Sequence, residues 1–245
     1  MPGMPAPILL LGGGTPPPGG GTVTYLDNFD QGVPNAAEND ETGNFSYTSS
    51  PWILNEDDPK FGLSNAQGPG GFETVGDQAL LNIRDDNVDF TLETWLKFRP
   101  GSSPFGGDAG VHAIGAGNGP QLRFLSVQPG GDPDAPRELR LKALPVQGGA
   151  ECEIANVNPL VQDTWNHIAV TRESTLVRFF INGLMQGSQI WTGYDWGISN
   201  NWDLDWDDIG FTQASVDGAR FILGQAKYTA NFPVPVAPPT LDPND

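Results

Sequence analysis

The chain has 245 residues, with 30 Asp and Glu against 12 Lys and Arg, a formal net charge of −18. A balance this acidic repels phosphate backbones and anionic bilayers and argues against nucleic acid and membrane surfaces as partners. The 32 Gly and 23 Pro break long helices and suit many short strands joined by turns, in a single all-β unit with its 38% hydrophobic residues inside.

Residues 1–22, "MPGMPAPILLLGGGTPPPGGGT", form a Pro/Gly-rich arm around an apolar knot, Ile8, Leu9, Leu10 and Leu11. Pro and Gly prevent a regular element there. The knot either packs back on its own domain or docks on a neighbour, since exposed apolar clusters mark interaction sites. It is too short to span a bilayer and lacks a basic flank, so neither signal peptide nor membrane anchor is expected, and synthesis falls to a cytoplasm. Cys152 is the one cysteine, which leaves the fold to its core rather than to a disulfide.

Strand signals follow in order. "TVTYL" at 22–26 and "FSYT" at 45–48 come first. "VDFTLETWLKF" at 88–98 places Phe90, Leu92, Leu96 and Phe98 on one face, and Asp89, Glu93, Trp95 and Lys97 on the other. "QLRFLSV" at 121–127, "RELRLKAL" at 137–144 and "ECEIANV" at 151–157 are next. Residues 164–188, "TWNHIAVTRESTLVRFFINGLMQGS", read as a three-stranded meander. Ile168 and Val170 share a face with Asn166 and Arg172 at its ends, and Val177, Phe179 and Ile181 alternate with Arg178 opposite. Asn182-Gly183 suits a type I′ turn, whose two central residues need positive φ. "DDIGF" at 207–211 and "VDGARFIL" at 216–223 close the set. The pattern predicts an all-β, two-sheet antiparallel sandwich over 23–232, flanked by the arm 1–22 and a Pro-rich tail 233–245 outside the core.

Few groups offer chemistry. His112 and His167 are the two histidines, and neither has a partner at metal-ligand or triad spacing. A strand histidine with locally met hydrogen bonds accounts for His167. "DLDWDD" puts Asp203, Asp205 and Asp207 on one face if extended, and Glu151 and Glu153 flank Cys152. Retaining glycosidases use such carboxylate pairs, but sandwich-fold glucanases use glutamates where the first motif has only Asp, and no acid–base elaboration lies near the second pair. Trp191, Tyr194, Trp196, Trp202 and Trp206 cluster among Gly, Asn and Asp. Aromatic faces stack on sugar C–H surfaces, so this composition suits a glycan platform; it equally suits an aromatic-pinned loop or a protein interface. Asp27, Asp30 and Asp217 would share a structural Ca²⁺ if the first and last strands lie side by side; otherwise they are turn and edge acids.

Five blocks, "NFDQG", "PKFG", "DFTLETWLKF", the 164–188 meander and "VDGARFILGQAKYTANFPVPVAPP", occur in the order seen in laminin-G-like, concanavalin A-like domains, which the chain resembles over 23–236. The closing "AKYTANFPVPVAPP" is similar to the final segment of bacteriophage virion proteins of this fold. The resemblance implies a jelly roll with extended terminal arms and a place on a virus particle. It also implies a structural Ca²⁺ between Asp27 or Asp30 and Asp217, no other cofactor, and no catalytic motif. The chain departs from that pattern at Gly218, where relatives carry an acid. The expected function is a non-enzymatic virion protein on the virion surface, decorating the capsid or attached to the tail. Its partners are other virion proteins and copies of itself. A glycan-binding adhesin with a host-surface glycan as partner is the alternative, and a glycoside hydrolase the third.

Overall fold

The computed structural model describes residues 20–28, 41–42, 44–48, 53–55, 58–62, 65–67, 73–76, 88–98, 109–115, 121–127, 138–144, 152–155, 163–191 and 214–245. Among the described residues every regular element is a strand: β1 (Thr22–Asp27), β2 (Phe45–Thr48), β3 (Ile53–Asn55), β4 (Asn65–Gln67), β5 (Glu73–Gly76), β6 (Phe90–Phe98) and β7 (Ala109–Gly115). Then come β8 (Gln121–Val127), β9 (Glu138–Leu144), β10 (Cys152–Ala155), β11 (Trp165–Glu173), β12 (Leu176–Ile181), β13 (Leu184–Ile190) and β14 (Ala214–Leu223). They form an eight-stranded sheet, β13-β12-β11-β6-β14-β4-β3 with β1 also on β14, a four-stranded sheet β10-β9-β8-β7, and the pair β2-β5. The fold is the antiparallel jelly-roll sandwich that the alternation predicts. The 207–211 run and the arm with Ile8, Leu9, Leu10 and Leu11 lie outside the described residues.

The register shows how period two sorts the side chains of the large sheet. Val170 pairs with Leu92 on one side and Phe179 on the other, and Phe221 pairs with Leu92 from β14. All four are fully buried, and Phe90 and Phe221 stack at 5.8 Å. Each such side chain contributes about 1.5–3 kcal/mol by leaving water. This face looks toward the second sheet. Gly187, paired with Phe179, approaches Ile154 of β10 so closely that a Cβ there would stand 2.7 Å from its Cγ2.

The β11–β12–β13 meander turns as its residues dictate. Asn182 has φ 50° and Gly183 φ 74°, the left-handed pair of a type I′ turn. Gly183 has a second constraint, because a Cβ would meet the Phe232 carbonyl oxygen at 2.1 Å.

The opposite face of the large sheet is also buried. Of the polar side chains of β6 and β11 on this face, Thr91, Glu93, His167 and Thr171 lie under residues 225–245, a strap without strand pairing, while Lys97 pairs with Asp58 and Asp163. Thr91 Oγ1 donates to the Gln225 carbonyl at 2.9 Å and accepts from the Lys227 N–H at 2.8 Å, while Thr171 Oγ1 donates to the Tyr228 carbonyl at 2.7 Å. Threonine hydroxyls thus replace a ladder in satisfying the strap's backbone. Tyr228 packs on Ala169 and Phe180 and stacks on Phe232 at 3.6 Å, and the Phe232 N–H reaches the Gly183 carbonyl at 3.0 Å. The Pro-rich tail, expected outside the core, therefore runs against the body.

Candidate functional site

Beneath the strap sits a cluster of charges built on three neighbouring strands. Glu93 comes from β6, His167 from β11 and Arg220 from β14, and each is at most 2% exposed. Arg220 Nε donates to Glu93 Oε1 at 2.7 Å, and its Nη2 bonds the same oxygen. Tyr228 Oη donates to Glu93 Oε2 at 2.6 Å, and His167 Nε2 lies 3.3 Å from that oxygen. Lys227 Nζ stands 3.5 Å from Glu93 Oε1 and 3.6 Å from Asp245 Oδ1.

Arg220 also holds the chain's last residues. Its Nη1 donates to the carbonyls of Thr240 and Asp242, both at 2.9 Å, and to the Asp245 carboxylate. One guanidinium therefore joins the middle of the sheet to the end of the strap, using its planar fork of donors in two directions.

The electrostatics follow from this packing. Burial raises the Glu93 carboxyl, but the His167 bond and the charges of Arg220 and Lys227 hold it well below the usual carboxylate range. For Asp245 burial also opposes ionisation, and the bonds from Thr240 and Arg220 outweigh it, so it too is lowered. Burial pushes the Lys227 ammonium down despite Glu93, and burial next to the Glu93 charge pushes the Tyr228 phenol up, keeping it a donor.

Sheet and strap do not close completely on each other. A cavity of 310 Å³ remains, floored by Glu93, Trp95, His167 and Arg220, roofed by residues 235–240, and bounded by Lys227 and Asp245. Lys60 Nζ sits 3.9 Å from the centroid of a Trp95 ring, and the His167 ring meets Trp95 edge-on at 5.2 Å.

The other expected site residues are placed as follows. Asp217 is buried on β14, and its Oδ2 accepts the backbone N–H groups of Lys60 at 2.8 Å and Phe61 at 3.0 Å, which fixes the "PKFG" turn against the strand. Asp27 ends β1 opposite Ala219, so the first and last strands do lie side by side. Asp30 lies outside the described residues. Those described contain no group of three acids, histidines or cysteines arranged to hold a metal. A carboxylate already accepting two N–H bonds fits a structural anchor. Trp191 is 3% exposed, its indole N–H on Gln189 Oε1 at 3.2 Å, while Tyr194, Trp196, Trp202 and Trp206 lie outside the described residues. Sequence reading passed over Glu93, Arg220, Lys227 and Asp245. The available signal was Arg220 itself, a charge inside the apolar run "ARFIL" and therefore in need of a buried partner.

Comparison with known proteins adds the family. Residues 70–225 match the profile of the concanavalin A-like lectin/glucanases superfamily. Adhesion G-protein coupled receptor V1 of Danio rerio is 25% identical over 116 residues, 47% of this chain and 2% of that protein. Among solved structures, a botulinum neurotoxin type C structure, from a toxin whose cell entry depends on two ganglioside molecules, superposes with a TM-score of 0.55 at 12% identity. It covers 84% of this chain and 48% of that one, so this chain spans about half its length. Domain 4 of the arabinanase AbnA from Geobacillus stearothermophilus, in complex with arabinotriose, superposes with a TM-score of 0.54 at 17% identity, covering 84% of this chain and 94% of that domain. Identities this low establish the fold alone. The profile spans more than half of the sequence and takes in β5 to β14, which include five strands of the large sheet and all four of the second: the chain belongs to the concanavalin A-like lectin/glucanases superfamily.

Proposed function

We propose that this chain is a non-enzymatic surface protein of a bacteriophage particle, decorating the capsid or attached to the tail, with a lectin-like jelly roll as its body. The observation that carries the non-enzymatic reading is the state of Glu93. Both of its oxygens accept bonds, from Arg220 and from Tyr228, and its carboxyl is held low. A glycosidase acid needs the reverse, a carboxyl raised enough to keep its proton. The virion assignment is supported by the closing segment 226–239, which resembles the ending of phage proteins of this fold. That segment is the strap, so the resemblance falls on a part that shapes the body. Particles purified with and without the protein, imaged at low resolution, test the assignment and separate head from tail. Removing residues 1–22 is expected to abolish attachment and leave the jelly roll folded; a truncated protein that still decorates particles sinks the docking role of the arm.

A second reading is favoured by the arabinanase domain, which matches this fold over nearly its whole length and was solved with arabinotriose. By that analogy the jelly roll recognises a glycan of the host surface. Calorimetry against host polysaccharide tests it, with affinity expected to fall in Trp196→Ala or Trp202→Ala; a flat trace across a glycan panel ends it. Reducing-end release abolished by Asp205→Asn would overturn the non-enzymatic reading.

A further inference from the structure

We propose that the cavity between the large sheet and the strap is the seat of the chain's own apolar knot, and that in the free protein side chains of Ile8, Leu9, Leu10 and Leu11 fill it. This is independent of what the arm grips in an assembly.

The walls set the chemistry. Pro235, Val236, Ala237, Pro238 and Pro239 roof the cavity, and its accessible surface is almost wholly apolar. The charged side chains on its floor are already dry and paired. Arg220 is 2% exposed, Glu93 3% and Lys227 7%, and Arg220 bonds Glu93 directly. A hydrated ligand would lose water here without gaining partners, whereas an aliphatic side chain has none to lose. The strap also leaves apolar groups in water at this place. Val236, in the cavity wall, is 94% exposed, and Leu241, next to the lining residue Thr240, is 55% exposed. An apolar cavity of about 150 Å³ takes one benzene ring, so 310 Å³ takes two leucine side chains.

The position of the arm names the occupant. Residues 1–19 lie outside the described residues, and the chain enters the body beside the strap. A Cβ on Gly21 would stand 2.5 Å from the Cβ of Gln225, the strap's first residue. Gln225 Nε2 donates to Asn244 Oδ1 at 3.3 Å, and the next residue, Asp245, lines the cavity. Leu11 precedes Gly20 by nine residues, all Gly or Pro except Thr15. Nine residues span about 30 Å when extended, and so short a tether holds the knot at an effective concentration in the millimolar range.

Charge favours this arm over that of a second copy. Residues 1–22 contain no Asp, Glu, Lys, Arg or His, so the formal charge of −18 belongs to the rest of the chain. Two such bodies repel as they approach, and a tethered neutral segment meets no such barrier. The result is a latch. The seat keeps the knot out of water, and any partner that takes the arm competes with it.

The test is methyl NMR on the full chain, alone and in dilute solution. Nuclear Overhauser contacts are expected between methyls of the knot and those of Val236 and Ala237, unchanged on further dilution. In the full-length double variant Leu9→Asp/Leu10→Asp these contacts should vanish, and the Val236 methyls should move to the shifts of a solvated valine. Val236→Asp, at an exposed position, should release the knot from the other side. Absence of any contact, with identical Val236 shifts in wild type and in Leu9→Asp/Leu10→Asp, overturns the proposal. Contacts that weaken on dilution, or arise only between differently labelled copies in a mixed sample, also overturn it and assign the cavity to a second copy's arm. If the variants do not fold, the wild-type contacts decide. No particle enters these measurements, so a failure here leaves the attachment reading standing, and a failure of attachment leaves the seat.

Discussion

Arg220 stands opposite Glu93 because β14 carries one residue more than β6 between the pairs Asp217–Trp95 and Arg220–Glu93. Gly218 and Ala219 together face Thr94, and Gly218 adopts φ 54° to make the bulge. In a regular ladder Ala219 would oppose Glu93 and Arg220 would point at the hydrophobic face. The bulge turns the guanidinium to the strap side, where Glu93 and the carbonyls of Thr240 and Asp242 receive it. A backbone irregularity of one residue thus decides whether the C-terminal segment has an anchor.

Removing that anchor should be costly. Arg220→Met leaves the Glu93 carboxylate buried without its main counter-ion, which costs about 3–5 kcal/mol. Urea denaturation should show the double variant Glu93→Met/Arg220→Met losing less than the sum of the two single changes by about 1–3 kcal/mol. Simple additivity would mean that the pair is not coupled.

The bulge itself can be tested at Gly218. Alanine there must hold a left-handed conformation, worth about 1–2 kcal/mol, and its Cβ would lie 3.1 Å from Pro239 Cδ. Gly218→Ala should lower stability and speed hydrogen exchange in residues 240–245 more than in β11. Equal exchange in both would show that the strap does not depend on the bulge.

Gly183→Ala should be worse. The change combines φ 74° with a Cβ 2.1 Å from the Phe232 carbonyl oxygen, a backbone atom that moves only with the strap. A loss above about 2 kcal/mol is expected from strain and the lost Phe232–Gly183 bond. Gly20→Ala, with nothing within 4 Å of its Cβ, is the neutral control. Similar melting temperatures for the two variants would refute the argument.

Tyr228→Phe removes the donor 2.6 Å from Glu93 Oε2 and should cost about 1.5–3 kcal/mol, the range for a bond to a charged group. The phenol is pushed up in the folded protein. Its contribution is therefore complete below the ordinary tyrosine value, about 10, and fades as pH rises beyond it. The alkaline loss should be smaller in Tyr228→Phe, as read from denaturation midpoints between neutral and alkaline buffers.

Acid acts through Glu93 and Asp245, whose carboxyls are both lowered by folding. Groups shifted down stabilise fully above their unfolded values, about 4, and the stability is lost as pH falls through the lower folded values. Stability should stay level from neutral to mildly acid pH and then drop. The strap should open before the sheet, because the Asp245 side chain is 29% accessible and the Glu93 side chain only 3%. Hydrogen exchange at neutral and low pH reads that order, and a strap that stays protected until the sheet itself unfolds would contradict it.

How much of this was legible beforehand depends on the distance over which each feature is determined. Alternation in "FTLETWLKF" and "VRFFI" and the Asn182-Gly183 turn specify strands, faces and hairpin, because side-chain parity and φ preference are local properties. The facing of Val170, Leu92 and Phe221 follows once those strands pair. Glu93 and Lys97 read just as clearly as the polar side of β6, yet they are buried. Alternation separates two faces without saying what covers the second. Asp58 and Asp163 meet Lys97; the cover over Glu93 is residues 225–245, where Pro and the lack of period hide any sign of docking, and its partners lie far off in sequence, with Glu93 and Tyr228 separated by 135 positions.

The sequence by itself determined the jelly roll, its family and the inner face of its large sheet, since short-range pattern and solvent avoidance suffice for those. Only the tertiary structure decided that the other face is roofed, that Glu93, His167, Arg220, Lys227 and Asp245 meet there, and that a cavity remains beneath the prolines. Each of these needs a one-residue bulge and a long-range contact, and neither leaves a periodic trace along the chain.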